Sequence, residues 1–150
     1  MFNSTVNKRI IMEQITNNIL MIRPSNFNYN VQTAVNNYYQ KDGIKIGLVN
    51  ENAQKEFDIL VDKLKSNGIN VMVFDDDLKH DTPDSVFPNN WITFHSNGDV
   101  AVYPMFAINR RLERREDILS FVEDKGFKIN NIVDYTSAED EDLFLEGTGS

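Results

Sequence analysis

Asn97-Gly98-Asp99 stands between two apolar runs, "WITFHS" and "VAVYPMF", and it constrains the fold more than any other stretch. Asn-Gly suits the positive-φ backbone of a tight hairpin, so the flanking runs are expected to pair antiparallel. A second pattern pulls the other way. From Glu51 to Ser66, Phe57, Leu60, Val61 and Leu64 recur at i, i+3, i+4 and i+7, the apolar face of a helix. Asn67-Gly68 supplies its stop, and the β-branched run "INVMVF", Ile69 to Phe74, follows as a strand. A helix set between strands favours parallel pairing and a hairpin requires antiparallel pairing. The expectation is therefore an α/β fold with a mixed sheet.

The remaining segments fit that alternation. "NILMIR", Asn18 to Arg23, reads as a short buried strand stopped by Pro24, and "PSNFNYN" reads as a loop. Val31 to Lys41 has a weak helical pattern, and "IKIGLV", Ile44 to Val49, suits a strand or part of a long connection. Asp75 to Asp77 is expected to be a solvated strand end. Arg111 to Lys125 has a second helical pattern, with Leu112, Ile118, Leu119 and Val122 on one side and Gly126 at its end. "FKINNIV" is a further strand, "SAEDED" an acidic loop, and "LFLEG" the beginning of another strand. Residues 1–12 are expected to be a poorly ordered extension, with Met12 as a second possible start, and residues 13–150 the N-terminal part of a single domain.

The chain of 150 residues is long enough for one domain with a core, and 41% apolar and 11% aromatic residues make it globular in composition. A net charge of −8, from 15 basic and 23 acidic side chains, argues against nucleic acid or an anionic membrane as partner. No leader peptide and no apolar stretch of membrane-spanning length is visible, so a cytoplasmic location is the default expectation. The chain has no cysteine, hence no disulfide and no thiol nucleophile.

No phosphate-binding glycine loop, dinucleotide fingerprint or zinc spacing is present, and no metal or cofactor is expected. His80 and His95 have no neighbour suggesting a triad. Asp84 reads as part of a turn before a strand, "NRRLERR", Asn109 to Arg115, as a solvated helix start, and Glu146 as a strand-end residue. "PDSVFPNNW", Pro83 to Trp91, is less ordinary. Two adjacent asparagines between apolar residues suit a turn rather than a strand.

Taken together, "ILMIRPSNFNYNVQTAVNN", "TPDSVFPNNW", "YPMFAINRRLERR" and "LFLEGTGS" resemble the N-terminal part of the guanidine-modifying, or pentein, superfamily. The resemblance is nearest to the arginine-deiminase-related, citrulline-hydrolase-like group of the amidinotransferase family, related to dimethylarginine dimethylaminohydrolase. It runs from Met12 to Ser150. It implies an α/β propeller of ββαβ-type modules around a pseudo-five-fold axis, here about half of the ring, with unpaired strand edges. It also implies cysteine chemistry, in which a thiolate attacks a guanidino or ureido carbon and a histidine shuttles protons.

The same resemblance assigns roles. Asp84, Asn89 and Asn90 match positions that bind the substrate head group, where related dimethylarginine hydrolases carry an aspartate and two acids. Arg110 and Arg111 match a position that grips the substrate carboxylate, with Arg110 favoured. Glu146 matches the acid of a Glu-Gly-Gly motif that orients the site, although this sequence reads Glu-Gly-Thr. In the family the catalytic histidine and cysteine lie beyond that motif. The expectation is thus the substrate-binding half of a citrulline- or arginine-type C–N hydrolase, inactive alone, as a truncated gene, a split reading frame or an incomplete assembly would give. The alternative is a non-catalytic binding module, or a partner subunit of a separately encoded C-terminal half. The expected partner is a small amino acid of the citrulline or arginine kind.

Overall fold

The computed structural model describes residues 16–35 and 46–146. The expectations for residues 1–12 and 36–45 lie outside them. Strand β1, Asn18–Arg23, is followed by helix α1, Ile46–Ser66, and strand β2, Asn70–Asp75. β1 and β2 pair in parallel, from Asn18 opposite Asn70 to Arg23 opposite Asp75, as a two-stranded sheet.

α1 starts earlier than expected, so Ile46 to Val49 is helical rather than a strand or a connection. Its buried stripe is also rotated. Phe57 and Val61 are buried against Val71, with Leu64 partly buried beside them, but Leu60 is 47% exposed. The contact side instead runs along Asn50, Gln54, Phe57 and Val61, which step round the helix at about 100° per residue into one narrow band. Asn50 Nδ2 donates to Ser25 O at 2.9 Å and Gln54 Nε2 to Pro24 O at 2.8 Å. Those two amides tie the helix to the loop after β1 along the face opposite to solvent, and Leu60 lies off that face. Gly68, at φ 81, ends the helix, and Ile69 N bonds back to Leu64 O at 3.1 Å.

The second sheet is a ββαβ unit. Strands β3, Ile92–Phe94, and β4, Asp99–Val102, form the expected antiparallel hairpin, with Gly98 at φ 84 in its turn. β5, Asn131–Asp134, returns parallel to β4, giving the order β3-β4-β5. The expected helix over Arg111–Lys125 is two pieces, α2, Ile108–Arg111, and α3, Glu116–Asp124. Arg115 is extended between them, at φ −112 and ψ 130. The break lets Glu113 fold back on Arg110 while Arg114 and Arg115 reach other elements. It also leaves Leu112 exposed at 44%, whereas Ile118 and Val122 are buried.

The core joins both sheets to α3. Ile22, Trp91, Ile92, Val100, Met105 and Ile118 form one buried cluster, with Leu20, Phe74, Val102, Leu119 and Ile129 packed on it. Three further expectations are corrected. The Asp75–Asp77 end is not simply solvated, because the Asp76 side chain is only 7% accessible and meets Arg115 at 3.4 Å. The acidic segment folds as a 3₁₀ turn, Thr136–Glu141, and Leu143 to Glu146 form no strand. Two backbone bonds, Leu143 N to Ala138 O at 3.0 Å and Leu145 N to Pro104 O at 3.3 Å, tie that last segment down. The class is mixed α/β, and no described helix is long and apolar enough to cross a membrane.

Candidate active site

The segment from Thr82 to Trp91 is a chain of tight turns. Ser85 N donates to Thr82 O, Phe87 N to Asp84 O, Asn90 N to Phe87 O and Trp91 N to Pro88 O, all between 3.0 and 3.2 Å. Pro88 opens the 3₁₀ turn Pro88–Asn90, where a missing N–H is tolerated. Trp91, 2% exposed, anchors the segment in the core. The paired asparagines are thus turn residues, as their chemistry favours.

Arg110 sits at the centre of the cluster, 4% exposed. Its Nε and Nη2 meet the two carboxylate oxygens of Glu113, and Nη2 also donates to Phe87 O at 3.2 Å. Its Nη1 donates to Asn90 Oδ1 at 2.8 Å and lies 3.8 Å from Glu146 Oε2. Asp84 is 5% exposed, and its Oδ2 accepts from Asn30 Nδ2 at 2.7 Å and Thr33 Oγ1 at 3.0 Å. Burial pushes the Glu113 carboxyl up to about 7, against the hydrogen bonds and charge of Arg110, and the charges of Asp84 and Asp76 push the same way.

Of the six residues singled out in the sequence, Asp84, Asn90, Arg110 and Glu146 come together here. Asn89, next in the turn, is exposed and makes no side-chain hydrogen bond among the described residues. Arg111 points elsewhere: its Nε donates to Met105 O at 2.9 Å and lies 3.3 Å from Glu139 Oε2, and its guanidinium stands over the Phe144 ring. Glu139 is a second anchor in that neighbourhood, holding Arg114 and accepting from Met105 N at 2.7 Å. Burial alone would raise Glu139, but the Arg114 and Met105 hydrogen bonds and the nearby arginine charges hold it below the usual range.

Sequence reasoning missed Asn30, Thr33 and Glu113. Glu113 lay inside a charged run that reads as solvated, and Asn30 in a loop of turn formers. Asn30 and Thr33 are signalled only by pairing across the chain, 54 and 51 positions from Asp84, and Glu113 by a partner three positions away, Arg110. A cavity of about 370 Å³ lined by His95, Ser96, Asn97, Asp99, Val100, Ala101, Val133 and Tyr135 shares no residue with this cluster. No group of acidic residues or histidines able to hold a metal ion occurs among the described residues.

The family model described as N,N dimethylarginine dimethylhydrolase, eukaryotic, matches residues 23–150. The chain belongs to that family. No curated protein and no solved structure matches it.

Proposed function

We propose that this chain supplies the substrate-binding part of a C–N hydrolase acting on the ureido or guanidino group of a small amino acid, with citrulline favoured. The observation that carries the reading is the convergence of Asn90 and Glu146 on Arg110, beside the buried carboxylate of Asp84. Asp84 accepts from N–H donors of the head group, and Glu146 orients the site through Arg110. The Arg110 fork is occupied by Glu113, so Nη1 is the edge that a substrate carboxylate would share. Arg111, whose Nη groups make no hydrogen bond among the described residues, is the more open of the pair. The thiolate comes from outside these 150 residues, since the sequence has no cysteine.

The choice of ureido over guanidino rests on Asn90. A guanidinium is a cation with donors only, so carboxylates complement it. An amide is donor and acceptor, as is a neutral ureido group. Amides also remove the negative charge that would offset the desolvation of a buried cation. Asn89 shares this role only if a ligand reaches the exposed side of the turn.

The test is a titration of the isotope-labelled chain with citrulline, arginine and N,N-dimethylarginine, followed by NMR. Saturable shifts at Asp84, Asn90 and Arg110 are expected, strongest for citrulline, and Asn90→Asp should move the preference toward arginine by roughly tenfold. No saturable shift with any of the three would overturn the reading. Purified chain alone should release neither ornithine nor ammonia from citrulline or arginine. The lack of cysteine also suits a second reading, a non-catalytic partner subunit. The DNA immediately downstream separates the two: a continuation carrying a His and a Cys supports the enzyme, and a clean stop in independent isolates the subunit.

A further inference from the structure

Asp84 and Arg110 lie on different segments, and something must hold them in register. The residues that do so come from a third segment. Asn30 is 2% exposed, and its amide meets Asn109 side chain to side chain: Asn109 Nδ2 donates to Asn30 Oδ1 at 2.9 Å, and Asn30 Nδ2 faces Asn109 Oδ1 at 3.4 Å. The same Nδ2 donates to Asp84 Oδ2 at 2.7 Å, where the Thr33 hydroxyl joins it at 3.0 Å. Gln32 Oε1 accepts from Asn109 N at 3.0 Å, satisfying one of the donors that opens α2. Asn109 directly precedes Arg110. Residues 30–33 therefore grip the carboxylate and the start of the arginine helix at once.

Both donors fall on the same carboxylate oxygen. Asp84 Oδ2 receives Asn30 and Thr33, while Oδ1 makes no hydrogen bond among the described residues. A carboxylate held by one oxygen cannot swing about its last torsion without breaking two hydrogen bonds, one buried and one partly buried. An unmet donor in a buried network is costly, so such networks fix a single arrangement.

We propose that Asn30, assisted by Thr33 and Asn109, is the positioning residue of this site, clamping Asp84 by Oδ2 so that Oδ1 is presented to the N–H groups of the ligand's head group. The assignment rests on the function proposed above. Asn30 itself touches no ligand and acts through Asp84. It follows that Asn30 governs recognition of the head group directly through Asp84, and bears on the α-amino-acid end only through Asn109, which precedes Arg110.

The experiment compares two ligands on the 150-residue chain by NMR titration. Citrulline carries the ureido head group, and norvaline has the same α-amino-acid end without it. Asn30→Ala is expected to weaken citrulline by about tenfold, the value of one well-placed hydrogen bond lost from a buried site, and to weaken norvaline by clearly less. Thr33→Val, which removes one of the two donors to Asp84 with little change of shape, should weaken citrulline about threefold and spare norvaline. It serves if Asn30→Ala does not fold. Equal weakening of both ligands would reduce Asn30 to a merely structural part, and unchanged citrulline affinity in a folded variant would overturn the proposal outright. If the unmodified chain binds neither ligand, the proposed function itself fails and this inference falls with it.

Discussion

Arg110 and Glu113 meet fork to fork across the turn that follows α2, with Nε to Oε1 and Nη2 to Oε2 both at 3.0 Å. Their side chains are 5% and 1% accessible. A bidentate pair of this kind is geometrically specific, but two desolvated charges depend on each other. Removing one strands the other. Glu113→Ala is expected to cost about 3–5 kcal/mol, a large share of the 5–15 kcal/mol typical of a whole domain. Urea unfolding measures it, and a loss under about 1 kcal/mol would show that Glu146 and Asn90 suffice for Arg110.

The same residue predicts a pH dependence. Its folded value is raised from 4.5 to about 7, so across that window the native chain holds a proton that the unfolded chain has lost. Stability from this group is fully present below about pH 4.5 and is lost as pH rises through 7. Asp58, Asp77, Asp117, Asp134 and Glu139 are held low and act in the opposite sense, losing their contribution as pH falls. The difference between the unmodified chain and Glu113→Gln isolates the effect, and the unmodified chain should lose stability relative to the variant between those limits. A Glu113 carboxyl carbon resonance with a midpoint below 4.5 would mean that the Arg110 fork outweighs burial, and the slope would then be absent.

Two glycines with similar backbones should respond differently to alanine. Gly68 lies at φ 81 with open space where a Cβ would stand, and Gly98 at φ 84 would place a Cβ 2.5 Å from Asn130 Nδ2 and 3.0 Å from Lys128 O. Gly68→Ala is expected to cost about 1–2 kcal/mol, the left-handed strain alone. Gly98→Ala adds an overpacking penalty of roughly 1–3 kcal/mol. Thermal unfolding should rank them in that order, and equal losses would mean that Asn130 moves aside freely.

Ser85 is 4% exposed, and its Oγ has no hydrogen-bond partner among the described residues. Removing an unpaired buried hydroxyl relieves a desolvation cost instead of breaking a bond. Ser85→Ala should leave the denaturant midpoint unchanged or raise stability by up to about 1 kcal/mol. A clear loss would assign the hydroxyl a role that the native contacts do not provide.

What was legible in the sequence was local. Asn97-Gly98 announced its hairpin because the turn chemistry acts over a few residues, and "INVMVF" announced its strand through β-branched side chains. Leu60 misled because helical spacing marks an apolar stripe without saying which edge of it meets the sheet; two polar residues, Asn50 and Gln54, decided that by bonding to Pro24 and Ser25. The break between α2 and α3 was hidden for a similar reason. The pattern Leu112, Ile118, Leu119, Val122 is compatible with one helix, and only the burial of Arg110 against Glu113 reveals the turn. Asp84, Asn90, Arg110 and Glu146 were singled out through family resemblance, whereas the contacts of Asn30 and Glu113 needed the folded chain.

The parallel pairing of β1 with β2 has a consequence for the growing chain. Asn18 waits for Asn70, and every pair in that sheet joins residues 52 positions apart. At synthesis rates of about 5–20 residues per second, β1 spends roughly 3–10 s without its partner, whereas the β3–β4 hairpin can close within microseconds of its turn emerging. During that interval "NILMIR" is an unshielded apolar edge on a nascent polypeptide, and a holdase that recognises short aliphatic segments would find a target there.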